Sequence, residues 1–166
     1  MSKTILIMGS SNSLGDTYKI SKLFVAKFKM KFQDLNELVI MPYDYDHENK
    51  DDDFLGFMGH VVESYDTIIL ASPVYWYSMS GIMKNFLDRF TDLLTIKKDM
   101  GRQLRGKSLM AISVSNSDDC PEEYPMPFER SADYLGMKWK GYAHFPVNEP
   151  ELCTSRLDTI SEYLSN

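Results

Sequence analysis

Two segments of this chain carry residue types suited to holding a ligand. The first reads Gly9-Ser10-Ser11-Asn12-Ser13-Leu14-Gly15-Asp16-Thr17 and lies between a short apolar run and a helical pattern. Small residues let the backbone approach a ligand closely, and their hydroxyl and N–H groups can donate to it. A helix N-terminus adds partial positive charge. Together these features suit one terminal phosphate without a lysine or arginine. The alternative is a serine-rich turn that caps a helix. The loop is not a Walker A motif, because five residues separate Gly9 from Gly15 and Asp16-Thr17 follows. Nor does it contain G-x-G-x-x-G.

The second segment is Ser72-Pro73-Val74-Tyr75-Trp76-Tyr77-Ser78-Met79-Ser80-Gly81. Three consecutive aromatics in a loop cannot all enter one core. A planar heteroaromatic ligand would use them as a stacking surface with polar edges. The alternative is that they plug a sheet edge or form a subunit contact.

The elements that position these loops follow from hydrophobic periodicity. Short apolar runs at Thr4–Met8, Leu38–Met41, Thr67–Ala71, Lys107–Val114 and Lys138–Phe145 predict five strands. Helical patterns alternate with them. They run from Asp16 to about Lys31, over Phe54–Val62 and Ser80–Leu94, from Glu122 or Pro127 to Leu135, and over Pro150–Leu164. The last helix presents Leu152, Leu157, Ile160 and Leu164 on one face. Asp16 is positioned to cap the first helix. This alternation predicts one α/β domain over residues 1–166. The expected architecture is a flavodoxin-like three-layer sandwich, with a five-stranded parallel sheet in the order 2-1-3-4-5. In such sheets ligands bind beyond the carboxyl ends of the strands, where the strand order reverses. The loops after Met8, Ala71 and Val114 fall there.

The two loops resemble the NADPH-dependent FMN reductase family of the flavodoxin-like superfamily. The first parallels the family's Gly-Ser-x-Arg-x-x-Ser/Gly-Asn-Thr. In the second, Ser72-Pro73-Val74-Tyr75-Trp76 is followed by Lys84-Asn85-Phe86-Leu87-Asp88-Arg89, and the order matches the family signature. The resemblance implies FMN as cofactor and NADH or NADPH as electron donor, with a flavin, quinone or similar small molecule as acceptor. It maps Ser10, Asn12, Asp16 and Thr17 onto the phosphate loop. Pro73, Val74, Tyr75 and Trp76 fall beside the ribityl chain and the isoalloxazine. Ser115, Asn116, Ser117 and Asp118 are assigned to the ring's other edge by position alone. The sequence departs from the family at Asn12, where arginine is frequent, and at Asp16, where asparagine is frequent. A carboxylate facing a phosphate is repulsive, so Asp16 is expected to turn away or to cap the helix while Thr17 faces the phosphate. The family resemblance and the loop aromatics also point to a homodimer.

The rest of the chain narrows the function class. A net charge of -6 without a basic run gives no footprint for nucleic acid or anionic membranes. No apolar stretch approaches the ~18 residues needed to span a bilayer, and the N-terminal apolar run is too short for a signal peptide, so a cytoplasmic location is expected. Cys120 and Cys153 with His47, His60 and His144 form no metal-site spacing, and no metal is expected. The acidic stretch Asp44–Asp53 lacks the EF-hand pattern and reads as a solvated loop. Lys84 and Asp88 are one helical turn apart, which suggests a surface ion pair rather than catalysis. No catalytic side chain is required, because hydride transfer belongs to the cofactor. Two rival classes remain on the same fold. One is an FMN electron carrier without NAD(P)H turnover; the other is a flavin-free interaction module. A phosphorylatable aspartate is absent from the end of the third strand, Leu70-Ala71-Ser72.

Overall fold

A computed structural model describes residues 3–165, and the side chains of residues 159 and 161–165 lie outside that description. Five strands, β1 (Thr4–Met8), β2 (Lys31–Asp34), β3 (Thr67–Pro73), β4 (Ser108–Ser115) and β5 (Lys138–Pro146), form one sheet in the order β2-β1-β3-β4-β5. Every pairing is parallel: Leu6 lies opposite Phe32 and Ile69, Ile69 opposite Met110, and Ile112 opposite Ala143. The helices are α1 (Asp16–Phe28), α2 (Asp53–Ser64), α3 (Gly81–Asp88), α4 (Phe90–Thr95), α5 (Lys98–Arg102), α6 (Met126–Leu135) and α7 (Pro150–Ser165).

The alternation of side chains along the strands sorts them into two cores. Ile5, Ile7, Ile68, Leu70, Leu109 and Ala111 face Phe54, Met58, Phe86, Phe90 and Phe128 from α2, α3, α4 and α6. Leu6, Met8, Ile69, Ala71, Met110 and Ile112 face Ile20, Phe24, Cys153, Leu157 and Ile160 from α1 and α7. Both faces are covered, so the central strands are continuously apolar. On α7, Leu157 and Ile160 are buried as expected, Leu152 is 36% exposed, and the side chain of Leu164 lies outside the described residues.

Three sequence expectations change. The second strand is Lys31–Asp34 and not Leu38–Met41. As an edge strand it has no second neighbour to bury it, so its sequence Lys-Phe-Gln-Asp is polar. The apolar run that imitated a strand follows a 3₁₀ turn at Leu35–Glu37 and leaves Val39 and Met41 largely exposed. The first helix therefore stops at Phe28, where Lys29 takes a left-handed conformation. The helix expected over Ser80–Leu94 divides at Arg89 into α3 and α4.

Candidate cofactor cleft

The carboxyl ends of β1 and β3 lie side by side, and their crossovers leave toward opposite edges of the sheet, which opens a crevice between them. The loops after β1, β3 and β4 line a cavity of about 540 Å³ there, within the usual range for small-molecule sites. Ten of the twelve residues singled out from the sequence line it: Ser10, Asn12, Asp16, Thr17, Pro73, Val74, Tyr75, Ser115, Asn116 and Ser117. Gly15, Val114 and Asp119 line it too. Gly15 was legible as the residue before the helix, and Val114 as the last apolar residue of the fourth strand. Trp76 and Asp118 are not among the lining residues.

Side-chain hydrogen bonds to backbone fix the loops. The Ser80 hydroxyl donates to Gly9 O at 2.6 Å and caps α3 by accepting from Met83 N at 3.1 Å. Ser72 Oγ accepts from Ser80 N at 2.9 Å. A Cβ on Gly9 would stand 3.0 Å from the Met83 backbone, so α3 packs directly on this glycine. Across the cleft mouth, the Ser11 and Tyr75 hydroxyls are 3.1 Å apart. In the first loop, Ser10 Oγ accepts from Asn12 N at 3.2 Å, and Asn12 Oδ1 from Leu14 N at 3.1 Å. Asn36, beyond the edge strand, donates to Ser10 O at 2.5 Å and to Ser13 Oγ at 3.1 Å. No periodicity pointed to that support.

The α1 N-terminus offers its donors to this loop. Gly15 is the N-cap and supplies no side-chain hydrogen bond, so the N–H groups of Asp16, Thr17 and Tyr18 have no intrahelical or capping acceptor. A Cβ on Gly15 would lie 3.0 Å from Asn12 Nδ2. Thr17 is 3% exposed, lines the cavity, and its hydroxyl has no partner among the described residues. Asp16 is the first helical residue and does not cap; it turns to Lys19, with Nζ–Oδ1 at 2.8 Å. The lining contains no lysine or arginine. This donor set fits a phosphate held by backbone N–H and hydroxyl groups.

The aromatic segment is a tight turn. Tyr75 N donates to Ser78 O at 2.9 Å and Ser78 N to Tyr75 O at 3.0 Å, while Trp76 and Tyr77 have φ of 48° and 65°. Two left-handed residues in a row make a type I′ turn, for which Asn-Gly is the usual solution. Tyr75 faces the cleft and Trp76 is 94% exposed. On the third wall, the Asp118 carboxylate turns to Arg156 of α7, with Oδ1–Nη1 at 2.7 Å. That bond holds the Asp118 carboxyl below its usual range. Its neighbour Asp119 faces the cavity instead.

A second polar cluster, outside the cleft lining, gathers at the junction of α3 and α4. The Arg89 guanidinium is 1% exposed. It donates to Asp92 Oδ2 at 2.8 Å, to Met41 O at 2.9 Å and to Asn49 O at 3.1 Å, and it forms an ion pair with Asp52. His47 Nδ1 meets the other Asp92 oxygen at 2.9 Å. The acidic stretch Asp44–Asp53 is therefore tied to α3 and α4 through one buried arginine. The Lys84–Asp88 pair forms on the exposed side of the same helix, as the spacing predicted.

A parallel 2-1-3-4-5 sheet with its cleft at the β1/β3 switch point defines a flavodoxin-like protein. The chain belongs to the NADPH-dependent FMN reductase family, which it matches over residues 2–121. It is 27% identical over 158 residues to YwqN of Bacillus subtilis (strain 168), which is provisionally named an NAD(P)H-dependent FMN-containing oxidoreductase. That match covers 89% of this chain and 87% of YwqN. An NADPH-quinone reductase from P. pentosaceus superposes with a TM-score of 0.69 at 20% identity, over 97% of this chain and 96% of that one. General stress protein 14 from Treponema denticola, solved in complex with FMN, superposes with a TM-score of 0.63 at 18% identity, over 98% and 96% of the two chains. Membership of that family makes the protein an FMN-dependent oxidoreductase with a nicotinamide electron donor.

Proposed function

We propose that FMN lies in the cleft between the β1, β3 and β4 loops, with its phosphate at the α1 N-terminus. The observation that carries this reading is Thr17, a buried residue whose unpartnered hydroxyl lines the cavity beside uncapped helix N–H groups. Thr17 and the first-turn N–H groups donate to the phosphate, and Ser10 stiffens the turn below it. Asn12 Oδ1 accepts from Leu14 N, which leaves the Nδ2 amide to donate toward the phosphate. Asp16 stays paired with Lys19, which keeps its charge off the phosphate. Pro73, Val74 and Tyr75 form one wall along the ring, and Ser115, Asn116 and Ser117 form the other. FMN held there would supply hydride acceptance from NAD(P)H and onward electron transfer. The chain's part is to bind and orient, and no side chain of the cleft is assigned as acid or base.

The acceptor we propose is a flavin, quinone or similar planar molecule entering on the open side next to Tyr75. If donor and acceptor use that side in turn, kinetics against NADPH and a soluble quinone give parallel double-reciprocal lines. Intersecting lines would contradict the shared face, and absence of NAD(P)H oxidation would make the protein an electron carrier instead.

We further propose a cytoplasmic homodimer. Among the described residues no helix is long and apolar enough to cross a membrane, and both cysteines are free. Trp76 and Tyr77 stand out beside the cleft, 94% and 67% exposed. Holding such residues at positive φ costs roughly 1–2 kcal/mol each, and that strain signals a use for the side chains. Trp76→Ala is expected to change apoprotein stability by less than ~0.5 kcal/mol, because so exposed an indole loses almost no contacts. The same variant is expected to lower the dimer fraction in sedimentation. A monomeric wild type would remove the dimer, and a large stability loss would show that the indole is packed.

A further inference from the structure

A part-buried chain of polar side chains links Cys120 to the cleft wall across β4 and β5. It starts at Cys120, half-buried after the β4 loop, whose Sγ lies 3.2 Å from Tyr142 Oη. Tyr142 Oη is 2.5 Å from Ser113 Oγ, and Ser113 Oγ is 2.7 Å from His144 Nδ1. On its other side, the His144 ring reaches the cleft wall, with Nε2 at 2.9 Å from Ser117 O and 3.1 Å from Ser115 Oγ.

The hydrogens along this chain follow from the chemistry at its ends. A carbonyl oxygen can only accept, so Nε2 carries the proton. Burial lowers the imidazole's pKa below the ordinary histidine value, so the ring is neutral near pH 7 and Nδ1 is an acceptor. Ser113 must then donate to Nδ1, which leaves its oxygen to accept from Tyr142. Burial raises the Tyr142 pKa well above the ordinary phenol value, so that donor proton stays in place. Cys120 completes the sequence by donating its weak S–H to Tyr142. Three side chains, Cys120, Tyr142 and Ser113, thus point their protons one way, toward Nδ1.

The far end of the chain matters because of how the β4 loop is held. Ser115 O accepts from Val147 N at 2.9 Å and Asn116 O from Asn148 N at 3.2 Å, both backbone bonds from the segment after β5. Ser117 O is held by side chains instead, accepting from Ser115 Oγ at 2.7 Å and from His144 Nε2 at 2.9 Å. At the other end of the same peptide Asp118 N donates to Glu149 Oε1 at 3.3 Å, so side chains alone set its orientation at the cleft wall, and His144 supplies one of the two donors to its carbonyl.

We propose that His144 is a positioning residue of the cofactor cleft: its Nε2–H fixes the Ser117 carbonyl, and Ser113, backed by Tyr142 and Cys120, holds the ring in the tautomer that can do so. This inference rests on the reading that FMN occupies the cleft. It assigns a role to residues that the loop motifs do not reach, since His144 and Tyr142 lie on β5.

Two replacements separate the two ends of the ring. The amide nitrogen of glutamine reaches about as far as Nε2 and can still donate to Ser117 O. Asparagine is shorter, reaches only the Ser113 side, and releases the loop. His144→Asn is expected to weaken FMN binding about three- to tenfold, as for loss of one buried hydrogen bond, whereas His144→Gln stays within about twofold of wild type. A merely structural histidine gives the opposite signature, with FMN affinity following apoprotein stability in both variants. Equal weakening by the two, or none by either, overturns the proposal. Nitrogen-15 NMR of the imidazole in wild-type protein gives a test that needs no variant: an Nε2-protonated ring with an accepting Nδ1 is expected, and an Nδ1-protonated ring overturns the proposal. Thr17→Asp, measured alongside, tests the cleft itself. If it abolishes FMN binding while His144→Asn has no effect, the positioning role alone fails. If it leaves FMN binding intact, the reading of the cleft fails first and this inference with it.

Discussion

Arg89→Ala is expected to destabilise the apoprotein by about 3–5 kcal/mol, the cost of removing one partner from a buried charge network. The expectation rests on what the substitution leaves behind. Asp52 and Asp92 have side chains only 6% and 3% exposed, and both would keep a charge without a guanidinium against it. The carbonyls of Met41 and Asn49 would lose their donor in the same step. Domain stabilities are ~5–15 kcal/mol, so the loss should be plain in a urea midpoint. Arg89→Lys is expected to rescue little, because an ammonium is a point charge and cannot span these acceptors on two sides. The network also sets the acid limb of stability. Burial by itself would raise the Asp52 carboxyl, but Arg89 and the N–H groups of Met41 and Phe54 outweigh it and hold its pKa below the usual value. Asp52 therefore contributes stability that is fully present above the ordinary carboxylate pKa and is lost as pH falls through the lowered one. Arg89→Ala should flatten that fall. A loss below about 1 kcal/mol would mean that the loop tied down by Arg89 contributes little to the fold.

Thr17→Asp is expected to reduce FMN affinity by at least about 100-fold while leaving riboflavin affinity nearly unchanged. Two unit charges 4 Å apart repel by ~4 kcal/mol at an effective dielectric of 20, and the phosphate carries up to two of them. The variant should fold well. Aspartate is close to threonine in size, and an acidic residue in the first helical turn is favourable by ~0.3–1 kcal/mol. Loss of binding would then be separable from loss of structure, with apoprotein stability read from thermal unfolding. A parallel weakening of FMN and riboflavin would show damage to the cleft as a whole, and an unchanged FMN affinity would move the phosphate away from α1.

Most of this architecture was legible in the sequence because buried parallel strands announce themselves. Ile68, Ile69 and Leu70 have a helix layer on each side, so no polar residue interrupts them. The edge strand Lys31–Asp34 lacked that signal for the same physical reason, and the nearby Leu38–Met41 imitated it. Cavity-lining residues were legible where small or aromatic types cluster beside a strand end, as at Ser10, Thr17 and Tyr75. Trp76 does not line the cavity, because a run of aromatics does not reveal the turn type, and two left-handed residues leave its side chain exposed. Asp118 was assigned by position alone, and Arg156, 38 residues away, turns it aside. Arg89 stood in the family signature, but only the fold brings Asp52, 37 residues earlier in the chain, against it. The support from Asn36 and the chain from Cys120 to His144 depend likewise on residues brought together across the sheet.

The most direct test of the cleft is a titration of the wild-type apoprotein with FMN and riboflavin under identical conditions. The two ligands share the isoalloxazine and the ribityl chain and differ by the phosphate. If Thr17 and the α1 N-terminus hold that phosphate, several hydrogen bonds to a charged group separate them, each worth ~1.5–3 kcal/mol, and FMN should bind at least about 100-fold more tightly. Equal affinities would contradict the account, because the one feature that distinguishes this cleft from a plain aromatic crevice would then hold nothing.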